Sequence, residues 1–217
     1  MSRIKVALFV FVSVSILDII GVVFSIPYLI FIFKPFILLS LLLLYHVSVS
    51  EKNSLYVSAL FFSFLGDVFL IYKGSFSFNI GLLSFLIAHL FFIKIVISQI
   101  KKKTILKVIY SIIPFFILFL MLFLFLKNAL NDLLIPVLIY GITISIFGAV
   151  SLINYLGIKS RKSLLMLGGA ILFIFSDSVL AINKFYNSSH LFEIIIIITY
   201  IIAQYLIFRS MVHEDEI

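Results

Sequence analysis

The chain has 217 residues, of which 64% are hydrophobic and only 12% charged, and its mean hydropathy is +1.34. Soluble globular domains are about 45–50% apolar and about 25% charged, so this composition excludes an ordinary soluble enzyme and describes an integral membrane protein. The formal charge of +7 sits in short loops between apolar runs, which is the positive-inside pattern facing anionic lipid and not a nucleic-acid surface. With no cysteine in the chain, disulfides, thiolate nucleophiles and thiolate metal sites are excluded.

A membrane-spanning helix needs about 20 apolar residues. Eight runs meet that length, over 6–25, 33–50, 54–72, 77–98, 105–126, 133–153, 163–182 and 190–209. The opening "MSRIKVALFVFVSVSILDII" has a basic start, but its apolar run is too long for a signal peptide and no A-x-A site follows, so it reads as the first span. Between the first two spans lies "SIPYLIFIFKP", where Pro27 and Pro35 are expected to break any continuous helix. The remaining connections are short and polar, and "HEDEI" reads as a frayed acidic end. The expected architecture is an all-α polytopic membrane protein, with residues 1–217 forming one transmembrane domain.

Loop charge sets the orientation. With the N-terminus inside, the inner loops and flanks hold Arg3, Lys5, Lys52, Lys94, Lys101, Lys102, Lys103, Lys107, Lys159, Arg161, Lys162 and Arg209, whereas the outer ones hold only Lys34, Lys73, Lys127 and Lys184. Both termini are therefore expected in the cytoplasm, with the protein in the inner (plasma) membrane of a bacterium. The halves echo each other: "FLGDVFL" (64–70) parallels "FSDSVL" (175–180), and "FLIAH" (85–89) parallels "YIIAQ" (200–204). Four spans per half make this a 4+4 parallel pseudo-repeat rather than an inverted one.

The polar residues inside the spans carry the functional reading. Asp67 and Asp177 each lie about 13 residues into spans of the same direction, roughly 20 Å from the inner surface at about 1.5 Å per residue. Asp18 falls at a similar depth in the first span, and Lys34 is placed at the outer start of the second. The fourth span brings Asn79 and His89, the seventh Ser176 and Asn183, and the eighth Tyr200 and Gln204, one turn apart. An aspartate at mid-membrane costs about 2.5–3.5 kcal/mol on insertion scales and marks a site by default. A carboxyl taken out of water favours its neutral form, and two neighbouring carboxyls can divide the roles of acid and anion. Asp18 has a structural alternative, pairing with Lys34. His89, Tyr200 and Gln204 have another, interhelical hydrogen bonding. Gly141, Ser145 and Gly148, and likewise Gly168 and Gly169, read as close helix packing. Phosphate-cradling glycine loops, G-x-S-x-G and H-E-x-x-H are absent from the sequence, and the four histidines are scattered. No metal or cofactor is expected.

Five segments, in order, carry a family resemblance: "KPFILLSLLLLY" (34–45), "GDVFL" (66–70), "FNIGLLSFLIAHLFF" (78–92), "GGAILFIFSDSVLAINKF" (168–185) and "TYIIAQYLI" (199–207). Together they resemble the YhhN-like lysoplasmalogenases, eight-helix membrane proteins, with Phe92 departing from a tyrosine of that pattern. The resemblance implies hydrolysis of the vinyl ether bond of lysoplasmalogens to a fatty aldehyde and a glycerophospho-ethanolamine or -choline. It makes Asp67 and Asp177 the catalytic pair and a lysophospholipid the partner. Lys34, Asn79, His89, Ser176, Asn183, Tyr200, Gln204 and Asp18 are the candidate substrate-binding residues. The chemistry suits two carboxyls: protonating a vinyl ether at its β carbon gives an oxocarbenium ion, much as in glycosidases. Intramembrane acids on parallel repeats are equally the mark of a proton-coupled carrier, which is the alternative reading.

Overall fold

The computed structural model describes residues 3–72, 74–100 and 105–212. The expectations for Lys73, for Lys101–Lys103 and for the tail from His213 onward lie outside them. Among the described residues are eight helices long and apolar enough to cross a membrane: α1 (Arg3–Val23), α2 (Pro27–Ser48), α3 (Ser54–Ile71), α4 (Ser75–Gln99), α5 (Ile105–Leu126), α6 (Leu134–Ile158), α7 (Arg161–Phe185) and α8 (His190–Met211). Two 3₁₀ turns, Lys127–Ala129 and Asn131–Leu133, link α5 to α6. The chain is an all-helical integral membrane protein.

The helix ends follow local chemistry. The Asn53 side chain accepts from the amides of Leu55 and Tyr56 at 3.0 and 3.2 Å, capping α3. Ser160 and Ser163 form a reciprocal capping box at the start of α7. The expected break between the first two spans is present but shorter than expected, and Pro35 is not part of it. Pro27 occupies the first turn of α2, where a missing N–H costs nothing, and Pro35 lies inside the same helix without ending it. The connection shrinks to residues 24–26, and α2 begins six residues earlier than its apolar run suggested. Lys34 consequently sits seven residues past Pro27, about two turns into the span, and not at its outer start.

Sequence neighbours pair as hairpins, α1 with α2, α3 with α4, α5 with α6 and α7 with α8. Further packing of α2 on α3, α6 on α7, α4 on α6 and α1 on α8 joins the hairpins. Much of α5 lies at the periphery, burying Ser111, Phe115 and Leu126, and its outward Leu, Ile and Phe side chains suit acyl chains. Close approach of backbones is set by glycine. A Cβ on Gly66 would fall 2.5 Å from the Phe85 ring, and one on Gly169 would fall 2.6 Å from Ile207 and 3.0 Å from the Ala203 carbonyl oxygen. Both hairpins that carry the motif aspartates are therefore locked at short range. On α6, a Cβ at Gly141 would meet Phe119 at 2.7 Å and one at Gly148 would meet Phe115 at 2.5 Å, so the small-residue face packs α5. Gly168 stands apart, its nearest atom 3.4 Å away on Leu206.

Candidate active site

Asp67 is 2% exposed, on α3 one residue after Gly66. Its Oδ2 accepts a hydrogen bond of 2.7 Å from the Tyr200 hydroxyl on α8, and Gln204 Nε2, one turn further along α8, lies 3.4 Å from that same hydroxyl oxygen. Asp177 on α7 receives the hydroxyl of Tyr140, on α6. The two carboxyls are close enough to interact electrostatically. Each motif aspartate is thus held by one tyrosine, Asp67 from α8 and Asp177 from α6.

Their surroundings differ. Asp177 is half-buried and lines a cavity of about 50 Å³ with Leu70, Phe78, Leu82, Phe85, Val137, Tyr140, Leu180, Ala181 and Phe185. Asp177 is the one carboxyl and Tyr140 the one hydroxyl in that wall; the rest is hydrocarbon. This volume suits a few small molecules the size of water and not an acyl chain, so a lipid must part the wall. The mouth has the means: Phe78 and Phe185 meet edge to face at 5.7 Å, and Lys184 Nζ lies 5.0 Å from the Phe78 ring centre. Asp67 is not part of that wall; Phe85, whose ring lines the cavity, meets Phe173 at 6.1 Å and Tyr200, the partner of Asp67, at 6.0 Å.

Lys34 interacts electrostatically with both Asp18 and Asp67. Asp18 is fully buried, and neither of its oxygens has a hydrogen-bonding partner among the described residues. No contact ion pair joins it to Lys34 among those residues, so the expected direct pairing gives way to an interaction at longer range.

The other candidates fall in different places. His89 Nδ1 donates to the Phe85 carbonyl at 2.6 Å, which fixes the tautomer and leaves Nε2 bare. Its ring is boxed by Phe92, Tyr140, Phe147 and Phe173 at 4.7–6.2 Å, and it is not part of the cavity wall. Ser176 donates to the Ile196 carbonyl at 3.1 Å and ties α7 to α8. Asn183 accepts from the Ser189 amide at 2.7 Å and closes the α7–α8 turn. Asn79 is exposed in the second turn of α4. The structure therefore gathers Asp18, Lys34, Asp67, Asp177, Tyr200 and Gln204 and adds Tyr140, which the sequence reading missed. A tyrosine seven residues into a span looks like the aromatic belt at the membrane surface; only helix rotation shows that it turns inward.

The sequence model of the YhhN family matches residues 29–211, from α2 through α8, and includes both aspartates and both tyrosines. The chain belongs to the YhhN family. That family includes lysoplasmalogenases. The match begins after α1, so Asp18 lies outside the segment that defines YhhN membership. No curated protein and no solved structure matches the chain.

Proposed function

We propose that this YhhN protein is a membrane-embedded hydrolase of the vinyl ether bond in lysoplasmalogens. The observation that carries the reading is the asymmetric pair: Asp177 lines an apolar cavity, and Asp67, outside that wall, lies within electrostatic reach of it. Asp177 is the group that can touch substrate, with one oxygen held by Tyr140 and the other left to hand a proton to the β carbon of the alkenyl chain. The electron pair of the C=C bond takes that proton, and positive charge develops on the adjacent carbon and ether oxygen. Asp67, ionised and oriented by Tyr200, stabilises this oxocarbenium ion through space, the role of the second carboxylate in glycosidases. Water adds to the cationic carbon and returns its proton to Asp177. The hemiacetal then collapses to a fatty aldehyde and a glycerophospho-alcohol. Bond counts and protons balance with one water consumed and no other reactant.

The substrate reaches the site sideways from the bilayer. The alkenyl chain lies among Leu82, Leu180 and Phe185, and Lys34, about two turns into α2, is the cation offered to the phosphate. In this reading the membrane is a bacterial plasma membrane, and the α1–α2 connection faces away from the cytoplasm, as the loop charges favour. The test is turnover by the purified protein in detergent. Lysoplasmenylethanolamine should yield fatty aldehyde without added cofactor, and the acyl lysolipid of equal chain length should be untouched. Folded protein that releases no aldehyde from lysoplasmenyl lipids would overturn the reading in favour of the proton-coupled carrier.

A further inference from the structure

At the other end of the bundle the structure opens a larger space. A cavity of about 560 Å³ is bounded by the α2–α3 connection, the last turns of α4, α6 and α8 and the first turn of α7. Asp67 lies 14 residues beyond Asn53 and Asp177 lies 14 beyond Ser163, both in this wall, so at about 1.5 Å per residue the cavity is roughly 20 Å from the aspartates. Its wall is charged and hydrogen-bonding, where that of the Asp177 cavity is hydrocarbon. Exposed Lys52 and half-buried Lys162 supply cations, and exposed Glu51 supplies a carboxyl. Both α3 and α7 begin at this wall, so the positive ends of two helix dipoles add to the lysines. Asn154, also in the wall, is 1% exposed. Its Nδ2 donates to Gln99 Oε1 at 3.2 Å, and its Oδ1 has no hydrogen-bonding partner among the described residues. A buried amide oxygen left open beside a cavity calls for a donor supplied from that cavity.

What lies beside the cavity decides the kind of ligand. A groove of about 390 Å³ runs along α2 and the start of α3, walled by Leu39, Leu42, Leu43 and Val57. Leu39 and Leu43 are exposed on a membrane span, so this groove is open to the bilayer. Tyr45 and Lys52 belong to both walls, and the groove and the cavity meet there. An apolar groove that runs into a cationic, hydrogen-bonding cavity at the end of a span has the order of a phospholipid: acyl chain, phosphate, headgroup. A free phosphodiester would leave the groove empty.

We infer that this cavity and groove form a second lipid site, separate from the Asp177 cavity, that holds a phospholipid with an ethanolamine headgroup. The acyl chain lies on Leu39, Leu42, Leu43 and Val57. The phosphate meets Lys52 and Lys162, and the ammonium donates to Glu51 and to Asn154 Oδ1. A choline headgroup has the same charge but no N–H, so it leaves the Asn154 oxygen unsatisfied and binds more weakly. The site does not rest on the hydrolase reading, because it uses neither aspartate.

The test uses the full-length protein, stripped of lipid in detergent. Native mass spectrometry reads what it retains after addition of phosphatidylethanolamine, phosphatidylcholine of the same acyl chains, or glycerophosphoethanolamine. The wild type should hold phosphatidylethanolamine about tenfold or more tightly than phosphatidylcholine, the scale of a hydrogen bond to a charged group. It should not retain glycerophosphoethanolamine, which has no chain for the groove. Lys52→Gln combined with Lys162→Gln should lower phosphatidylethanolamine retention severalfold, and so should Leu43→Trp, which fills the groove. Asn154→Leu should bring phosphatidylethanolamine down to the level of phosphatidylcholine. Ala181→Phe, in the other cavity, should change nothing. Equal retention of phosphatidylethanolamine by the wild type and either the lysine pair variant or Leu43→Trp overturns the site. Equal retention of the two lipids overturns the headgroup assignment. Glycerophosphoethanolamine held as tightly as the lipid makes the cavity a site for a soluble phosphodiester and overturns the lipid reading. Loss of phosphatidylethanolamine in Ala181→Phe returns the lipid to the Asp177 cavity and overturns the second site. Thermal melting without lipid identifies any variant that has not folded, and Leu43→Trp, at an exposed position, keeps the test decisive if the others fail. Absence of aldehyde release bears on the hydrolase reading alone.

Discussion

The hydroxyl of Tyr200 lies 2.7 Å from Oδ2 of Asp67, joining residues 133 positions apart in the middle of the bundle. This bond is what makes α8 part of the site, and it gives Asp67 one fixed partner. Tyr200 is itself 5% exposed, and its hydroxyl oxygen has Gln204 Nε2 at 3.4 Å. The orientation of Asp67 is therefore built from two side chains on one stripe of α8.

Replacing Tyr200 by Phe removes the donor and leaves a buried carboxyl oxygen unsatisfied, a loss of about 1–3 kcal/mol. Tyr200→Phe should lower the melting temperature in detergent and reduce aldehyde release about tenfold or more. Gln204→Leu should do less of both, because the longer 3.4 Å contact acts only through Tyr200. Equal activity of Tyr200→Phe and wild type would show that Asp67 needs no orientation.

Tyr140→Phe separates positioning from binding. The hydroxyl holds Asp177, while the ring remains in the cavity wall. The expected result is a lower kcat with KM little changed, read from steady-state aldehyde release. A change in KM alone would make Tyr140 a substrate contact instead.

The cavity wall predicts the opposite split. Ala181 lines the pocket, and Ala181→Phe fills space that the alkenyl chain requires. KM should rise while kcat at saturation survives. An unchanged KM would place the chain elsewhere.

Glycine positions test the packing independently of function. Gly66→Ala puts a methyl group 2.5 Å from the Phe85 ring, and overpacking of this kind costs about 1–3 kcal/mol. Gly168→Ala meets its nearest neighbour at 3.4 Å and should melt within a degree or two of wild type, since an ordinary contact brings no overpacking. Equal melting of the two variants would contradict the close approach of α3 and α4.

Orientation is open to a simple test because the chain has no cysteine. A single cysteine at exposed Asn128, in the α5–α6 turn, should react with an impermeant thiol reagent on intact cells. One at exposed Lys159, in the α6–α7 turn, should react only after lysis. The reverse pattern would put both chain termini outside.

The spans were legible in the sequence because apolar length is set by the bilayer and needs no tertiary information. The α2 boundary was not, since Pro27 and Pro35 read as breakers, while a proline at a helix start is favoured and one inside a span is tolerated. The depth of Lys34 was lost with that boundary. The aspartate pair was legible because equal depth follows from counting residues along parallel spans. Which carboxyl faces the cavity was not, because it depends on the rotation of α3 and α7, which puts Asp177 and not Asp67 in the wall. Tyr140 escaped notice for the same reason, since its depth alone matches a surface tyrosine.

The central claim is that Asp177 transfers the proton that starts vinyl ether cleavage. It is tested most directly by the rate of aldehyde release from lysoplasmenylethanolamine by Asp177→Asn, purified beside the wild type and shown by melting to be folded. The account predicts a fall of at least about 10²-fold, the least expected from losing a general acid. A folded Asp177→Asn that turns over at the wild-type rate would contradict it.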